Sequence, residues 1–489
     1  MVVAILRTVL LATLASQTFA GETLRRLPPV QATAAYPTTS SPTGRLTPPA
    51  SVMIAAAYEA PHTTSPAVEE PPALLGFESG DDGVPLYEIG AVFDKGLFIR
   101  STDLQARPYA LYVGARMQLR HTGFIRDETT WTDAAGVTRE IRNRNNFDTE
   151  RLRLNLQGTA IDPALSYYVV VDGDADGASS ADFLAYIATY EFDPAFKVRM
   201  GRWKAASDRE WLESSRFFRM TDRSLATEYF RVGFTDGVWL LGDLGDHWSY
   251  ETSLTNGLRT STRRPFDQDD NLGAAVTIAY EPLGDFGPGE ADYACHTTPV
   301  VRLGGSFAYD KADDRSDAGF PLGDDSFLTL SDGTRLSDVG SLAPGVRLLG
   351  DRVLKSSLDW GVKYRGWSFS GEYFIRSIQD LVADGPLPMT QLYDYGYRVA
   401  GGVFLVPQRF DVNAGMSQVS GLYGDAYEYL VGFNWYWGSG QRDGKLDDRV
   451  NKFSMDVLEV KGSPVTSTPA DFIAGDDGVM FRTQVQIGF

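Results

Sequence analysis

Cysteine is nearly missing from this chain. Its 489 residues hold one, Cys295, so no internal disulfide can form and no cysteine-based metal cluster can be built. Histidine is scarce too: His62, His121, His247 and His296 are scattered, and none has a serine nucleophile and an acidic orienter at suggestive positions. No glycine-rich nucleotide loop is present, so no enzyme activity, cofactor or metal is assigned. Past the N-terminus no run of about 18 apolar residues occurs, which excludes a bundle of membrane helices. Positive charge is in deficit, with a formal net charge of -19, and that argues against nucleic acid as a partner. Lysine is the scarcer cation, nine against 36 arginines.

What is abundant points to strands. Aromatic residues make up 12% of the chain and there are 49 glycines, a composition suited to β-structure with many turns. From Val84 onward, segments of about ten residues alternate with period two. In YALYVGARMQLR, Tyr109, Leu111, Val113, Met117 and Leu119 face one way while Arg116, Gln118 and Arg120 face the other. RLRLNLQG sets Leu152, Leu154 and Leu156 against Arg151, Arg153, Asn155 and Gln157, and VMFRTQVQIGF sets Phe481, Val485 and Ile487 against Arg482 and Gln484. About 16 such segments are found, beginning at 109–120 and ending at 479–489, with the tenth placed at 357–365. Connections after even-numbered segments are mostly short, as in Asp193-Pro194 and Arg365-Gly366, and those after odd-numbered ones mostly long and polar. Pro282 to Pro299 breaks the rule by its length. That rhythm predicts an all-β, transmembrane antiparallel barrel of about 16 strands, because only a closed sheet satisfies its backbone in hydrocarbon without helices.

The two ends fit export. MVVAILRTVLLATLASQTFA resembles a secretory signal peptide, giving residues 1–20, with Arg7 ahead of an apolar stretch and small residues toward Ala20. Residues 21–83, with ten prolines from Pro28 to Pro72, read as a disordered periplasmic linker rich in Pro, Ala and Thr. Residues 84–489 are then the outer-membrane barrel. The terminal aromatic Phe489, closing an alternating strand, is expected to serve as the signal for the outer-membrane assembly machinery.

The stretch KVRMGRWKAASDREWLESSRFFRMTDRSLATEYFR, from Lys197 to Arg231, carries nine basic and five acidic residues, a net of +4 in an acidic chain. It follows the fifth segment and is expected to fold into the barrel as its third loop. Fixed guanidinium groups can replace an anion's lost hydration with bidentate hydrogen bonds, provided several sites of moderate strength share the task. The expected constriction is Lys197, Arg199, Arg202, Lys204, Arg209, Arg216, Arg219 and Arg223, and the expected lumen lining Arg116, Arg120, Arg151, Arg153, Arg365 and Arg482. The alternative is that lumen carboxylates (Asp172, Glu251, Glu372, Asp411) and the loop's own Asp208, Glu210, Glu213 and Asp222 neutralise these cations, leaving a general, weakly selective pore or a mainly structural barrel.

Several stretches in order resemble the phosphate-selective porin O and P family: KGLFIRSTD (Lys95–Asp103), FKVRMGRWK (Phe196–Lys204), WLESSRFFRMTDRS, VGFTDGVWLLGDLGDHWSYETSLTNG (Val232–Gly257) and GEYFIRS (Gly371–Ser377). The resemblance implies a homotrimeric 16-stranded channel in the outer membrane, in contact with lipid and lipopolysaccharide, that carries small anions such as phosphate or polyphosphate. The chain departs from that family's pattern where Ala205-Ala206 follows Lys204 in place of a Pro-Phe pair. Its long loops are acidic, with nine Asp against four Lys or Arg from Asp310 to Asp351. DGDADG (Asp172–Gly177) begins like a calcium loop, but its twelfth position is Phe183, which cannot bind a cation.

Overall fold

The computed structural model describes residues 86–92, 96–173, 181–259, 270–312, 328–437, 451–467 and 470–488. The expected signal peptide and linker lie outside the described residues, as do Phe489 and most of the Asp172–Gly177 stretch. A hairpin, β1 (Tyr87–Val92) and β2 (Gly96–Ser101), comes first. The first barrel strand is β3 (Ala110–Arg126), and the loop after it carries a separate small hairpin, β4 (Thr130–Thr132) and β5 (Thr138–Glu140). The wall continues through β6 (Arg144–Ala160), β7 (Asp162–Gly173), β8 (Ala181–Asp193), β9 (Phe196–Lys204) and β10 (Phe234–Leu244). Next come β11 (Trp248–Thr255), β12 (Gly273–Tyr280), β13 (Val300–Ala312), β14 (Leu348–Tyr364) and β15 (Trp367–Ala383). The last five are β16 (Leu392–Val406), β17 (Phe410–Gly421), β18 (Gly424–Tyr436), β19 (Lys452–Lys461) and β20 (Gly478–Gly488).

Each wall strand pairs antiparallel with its neighbours, and β20 returns to β3, Gly478 opposite Arg126 and Gly488 opposite Arg116. Sixteen strands therefore close on themselves. Where β20 stops, β2 continues the pairing along β3, with Leu97 opposite Val113. Alternation decides which face is which: Arg116, Gln118, Arg120 and Thr122 are buried within, while Met117, Leu119 and Ile125 are exposed without. The outer apolar set continues through Leu152, Met200, Leu254, Ile278, Leu358 and Val457. Aromatic rings gather at the short-turn end, with Trp248 stacked on Tyr280 and Phe433 between Phe410 and Phe453. An apolar belt around a polar interior, with every wall strand paired on both sides, makes this a membrane-spanning barrel.

The rhythm of connections holds with informative exceptions. Arg365 (φ 49°) and Gly366 (φ 81°) form a two-residue turn in the left-handed region, whose twist matches that of the flanking strands. Arg365 is thus an exposed turn residue with its guanidinium over the Tyr364 ring, not a member of the inward wall row as expected. At the other end, β17 and β18 are joined by only two residues, Leu422 and Tyr423. β14 begins at Leu348, nine residues ahead of the expected 357. Register shifts around Gly350 break its alternation, which hid those residues in the sequence.

The core lies inside the barrel, because three connections fold into it. Residues 205–233 (the third long loop, here L3) carry two short helices, α1 (Arg209–Leu212) and α2 (Leu225–Phe230). Residues 462–477 (L8) enter from the same end, and residues 281–299 (T4) from the short-turn end. Leu225, Tyr229 and Phe230 of L3 pack with Val465 and Phe472 of L8 against Phe374, Leu430 and Met480 of the wall. A pore built from this barrel must run beside these segments.

Candidate pore and its charged lining

L3 is fixed by the wall at nearly every turn of its path. Lys204, closing β9, donates from Nζ to the carbonyls of Trp211 (2.7 Å), Leu212 (3.1 Å) and Glu213 (2.9 Å), and so satisfies the end of α1. At the other end of α1, the Glu372 carboxylate accepts from the backbone N–H of Arg209 and Glu210. Asp208 pairs with Lys355, and Glu210 with Arg398 at 3.2 Å. Asp222 receives Arg120 at 2.6 Å and Arg151 at 2.8 Å. Burial alone pushes the Asp222 carboxyl up, but Arg151 and Arg120 more than reverse it and hold it well below the usual carboxylate range. Leu225 N–H donates to Glu428 and Ala226 N–H to Ser417, and Phe230 stacks on Phe374 at 5.2 Å.

Beyond L3, the wall from β6 to β13 keeps a partly exposed inner face, and its cations are matched one by one. Arg153 meets Asp172 at 2.8 Å, Lys197 meets Glu191 at 3.1 Å, and Arg199 meets Glu251 at 3.1 Å. Arg302 meets Glu281 at 2.9 Å. Arg202, expected at the constriction, instead pairs with Asp236 at 2.9 Å on the outer face, in register with the exposed Met200, Val238 and Tyr186, because it stands an even number of residues from Met200. The paired, half-exposed strip formed by the other four is the face a water-filled path can use. On the opposite side the pairs are fully buried. Arg482 grips Asp456 at 2.9 Å, and Arg120 also reaches Glu150 and Asp471.

The residues expected at the constriction and along the lumen therefore fall into different settings. Lys197, Arg199 and Arg153 lie on the paired strip, Arg202 on the outer face, and Arg151, Arg120 and Arg482 in buried clusters. Lys204 holds α1. Arg219 donates to Ser368 and stands 3.8 Å from Asp411, and Arg223 lies over the Trp211 and Phe218 rings with Glu228 at 3.7 Å. Arg209 rests on the Phe286 ring at 4.7 Å.

Among the described residues Lys204, Arg209, Arg116 and Arg216 have no carboxylate within 4 Å; Lys204 and Arg209 are taken up by backbone carbonyls and, for Arg209, the Phe286 ring. Arg116 is 5% exposed; its Nη2 donates to the Ser215 hydroxyl at 2.9 Å, and its Nη1 has no partner among the described residues. The charges that face it are Arg153, Arg216 and Arg151, all positive. Ser215 was not singled out in the sequence, and Glu372 was expected only as a lumen carboxylate that neutralises cations. Each acts through a partner far along the chain, Arg116 for Ser215 and α1 for Glu372, and no local pattern marks such pairs.

No protein-family model matches the chain, and no curated protein matches it. Solved structures similar to it include an outer-membrane expressed OmpT of Vibrio cholerae, at 12% identity and a TM-score of 0.44, covering 78% of this chain and 98% of that one. OprB of Pseudomonas putida is similar at 10% identity and 0.45, covering 78% and 94%. The outer membrane channel DcaP of Acinetobacter baumannii is similar at 9% and 0.46, covering 77% and 97%. Likeness at this level decides nothing about what this chain conducts.

Proposed function

We propose that the protein is an outer-membrane diffusion channel that admits small hydrophilic solutes and prefers small anions, phosphate among them. The observation that carries the preference is the pair Arg116 and Arg216, which have no carboxylate partner among the described residues, beside the Ser215 hydroxyl. Arg116 keeps an unused N–H there, in a protein whose other lumen cations mostly have carboxylates. A desolvated anion would find charge-assisted donors in that place without displacing an existing ion pair. Membership of the phosphate-selective porin O and P family, a homotrimer and an exported precursor belong to the same reading and rest on the sequence resemblance.

The paired strip favours a second reading, a general porin. Four matched pairs along the inner wall leave little net field of either sign, and the Arg116 group tips the balance. Planar-bilayer reversal potentials in a potassium chloride gradient near about 1 M, where rim charges are screened, separate the two. Anion preference in the native barrel, lost when Arg116 and Arg216 are both replaced by Ala with conductance retained, supports the first. A cation-selective or neutral potential that the double replacement leaves in place supports the second.

A further inference from the structure

T4 was conspicuous in the sequence only as a turn too long for its place. In the structure it reaches up from the short-turn end and meets L3 inside the barrel. Its base is fixed by Asp292, which accepts from the Gly366 N–H at 2.7 Å, and by Tyr293, packed against Phe404 and Tyr436. Its tip is held by charge. The Glu290 carboxylate takes Arg398 and the Ser370 hydroxyl, and Lys363 donates to the carbonyls of Phe286 and Pro288. Phe286 is 1% exposed, between the Lys363 ammonium at 4.1 Å and the Arg209 guanidinium.

The contact with L3 is direct. Gly289 N–H donates to Glu213 at 2.9 Å, and its carbonyl accepts from Arg209. Gly289 has φ 68°, and a Cβ there would stand 2.9 Å from the Phe217 carbonyl oxygen, so only glycine lets the two tips approach. The wall makes room as well. A Cβ on Gly361 would fall 2.7 Å from the Phe286 ring, so the absent side chain is the slot that ring occupies. Arg398 joins both segments, since it holds Glu210 of L3 and Glu290 of T4 together.

From this fit we infer that T4 is a second constriction element, which fills the lumen beside β14, β15 and β16 and sets the size limit of the pore. Phe286 and Glu290 are its specificity-determining residues. The inference rests on the reading of the barrel as a channel but not on its ion preference, because the Arg116 group lies on β3 and L3. A solute passing the barrel is confined to the paired strip as long as T4 stays docked. Without T4 the half of the lumen below L3 opens.

The test uses the full chain with residues 284–296 replaced by an Asn-Gly turn, and separately the point pair Phe286→Ala with Glu290→Gln. Single-channel conductance is read in 1 M potassium chloride, and the exclusion limit by liposome swelling in neutral sugars of increasing size. The shortened turn should raise conductance at least threefold and admit larger sugars, with the sign of the reversal potential kept. The point pair should add brief openings to the larger level, and it decides the matter where the shortened chain does not fold. A heat-modifiable barrel of either variant with native conductance and exclusion limit overturns the inference. Native and variant barrels that all fail to conduct overturn it together with the channel reading.

Discussion

Asp476 in L8 is fully buried, 2.5 Å from Arg126 and 3.0 Å from Arg144, and accepts from the Ile473 N–H. Burial nevertheless outweighs the pull of both arginines and pushes its carboxyl up to about 6. The fold thus holds this proton more tightly than the unfolded chain does. Its contribution to stability is fully present below the unfolded value of about 3.9 and is lost as pH rises through 6. At about 1.36 kcal/mol per pKa unit the loss is on the order of 3 kcal/mol. Urea unfolding in detergent, followed by tryptophan fluorescence, should show Asp476→Asn gaining on the native chain by roughly that amount between pH 4 and pH 7. Parallel curves for the two proteins would mean that Asp476 is ionised at both ends of the range.

At the scale of elements, L3 and L8 are one unit, and Arg120 is where they join. This β3 side chain reaches Asp222 of L3 at 2.6 Å, Asp471 of L8 at 2.8 Å and Glu150 of β6 at 3.3 Å. Removing it leaves the buried Asp222 and Glu150 and the part-buried Asp471 short of a partner, and breaking even one buried pair this way costs about 3–5 kcal/mol. Arg120→Met should therefore release both loops at once, so that an external protease cuts L3 and L8 at similar rates while the wall stays folded. Cleavage of L8 alone would show that L3 is held by its other anchors, such as Glu428 of β18, which accepts from the Leu225 N–H at the start of α2. Such joints explain what was legible in the sequence and what was not. The wall was legible because period two is local: Met117 and Leu119 declare one face and Arg116 and Arg120 the other, and all sixteen strands follow from that. The inward fold of L3 was legible as a long basic loop between two strands. The partners of its charges were not, since Asp208 meets Lys355 147 residues away. T4 showed only its length, because what makes it a plug is the Gly361 slot and the Arg398 clasp on other strands.

For the whole molecule, two charge scales compete. The chain carries a formal -19, and its long loops are acidic, whereas the group around Arg116 is a small positive region deep in the barrel. Reach separates them. In about 10 mM salt the Debye length is roughly 30 Å, so a solute in the lumen still feels the acidic rim; at 1 M it is about 3 Å, and the rim is screened away. Charges set in protein with little water around them are screened far less. Raising the salt from about 10 mM to about 1 M should therefore move the reversal potential from cation toward anion preference, against the usual expectation that selectivity merely fades. With Arg116 and Arg216 replaced by Ala the rim remains but the interior group is gone. That channel should start cation-preferring and approach neutrality without crossing it. A native channel whose preference decays to zero from either side, as the double variant's does, would place its selectivity at the mouth and leave Arg116 a structural role beside Ser215.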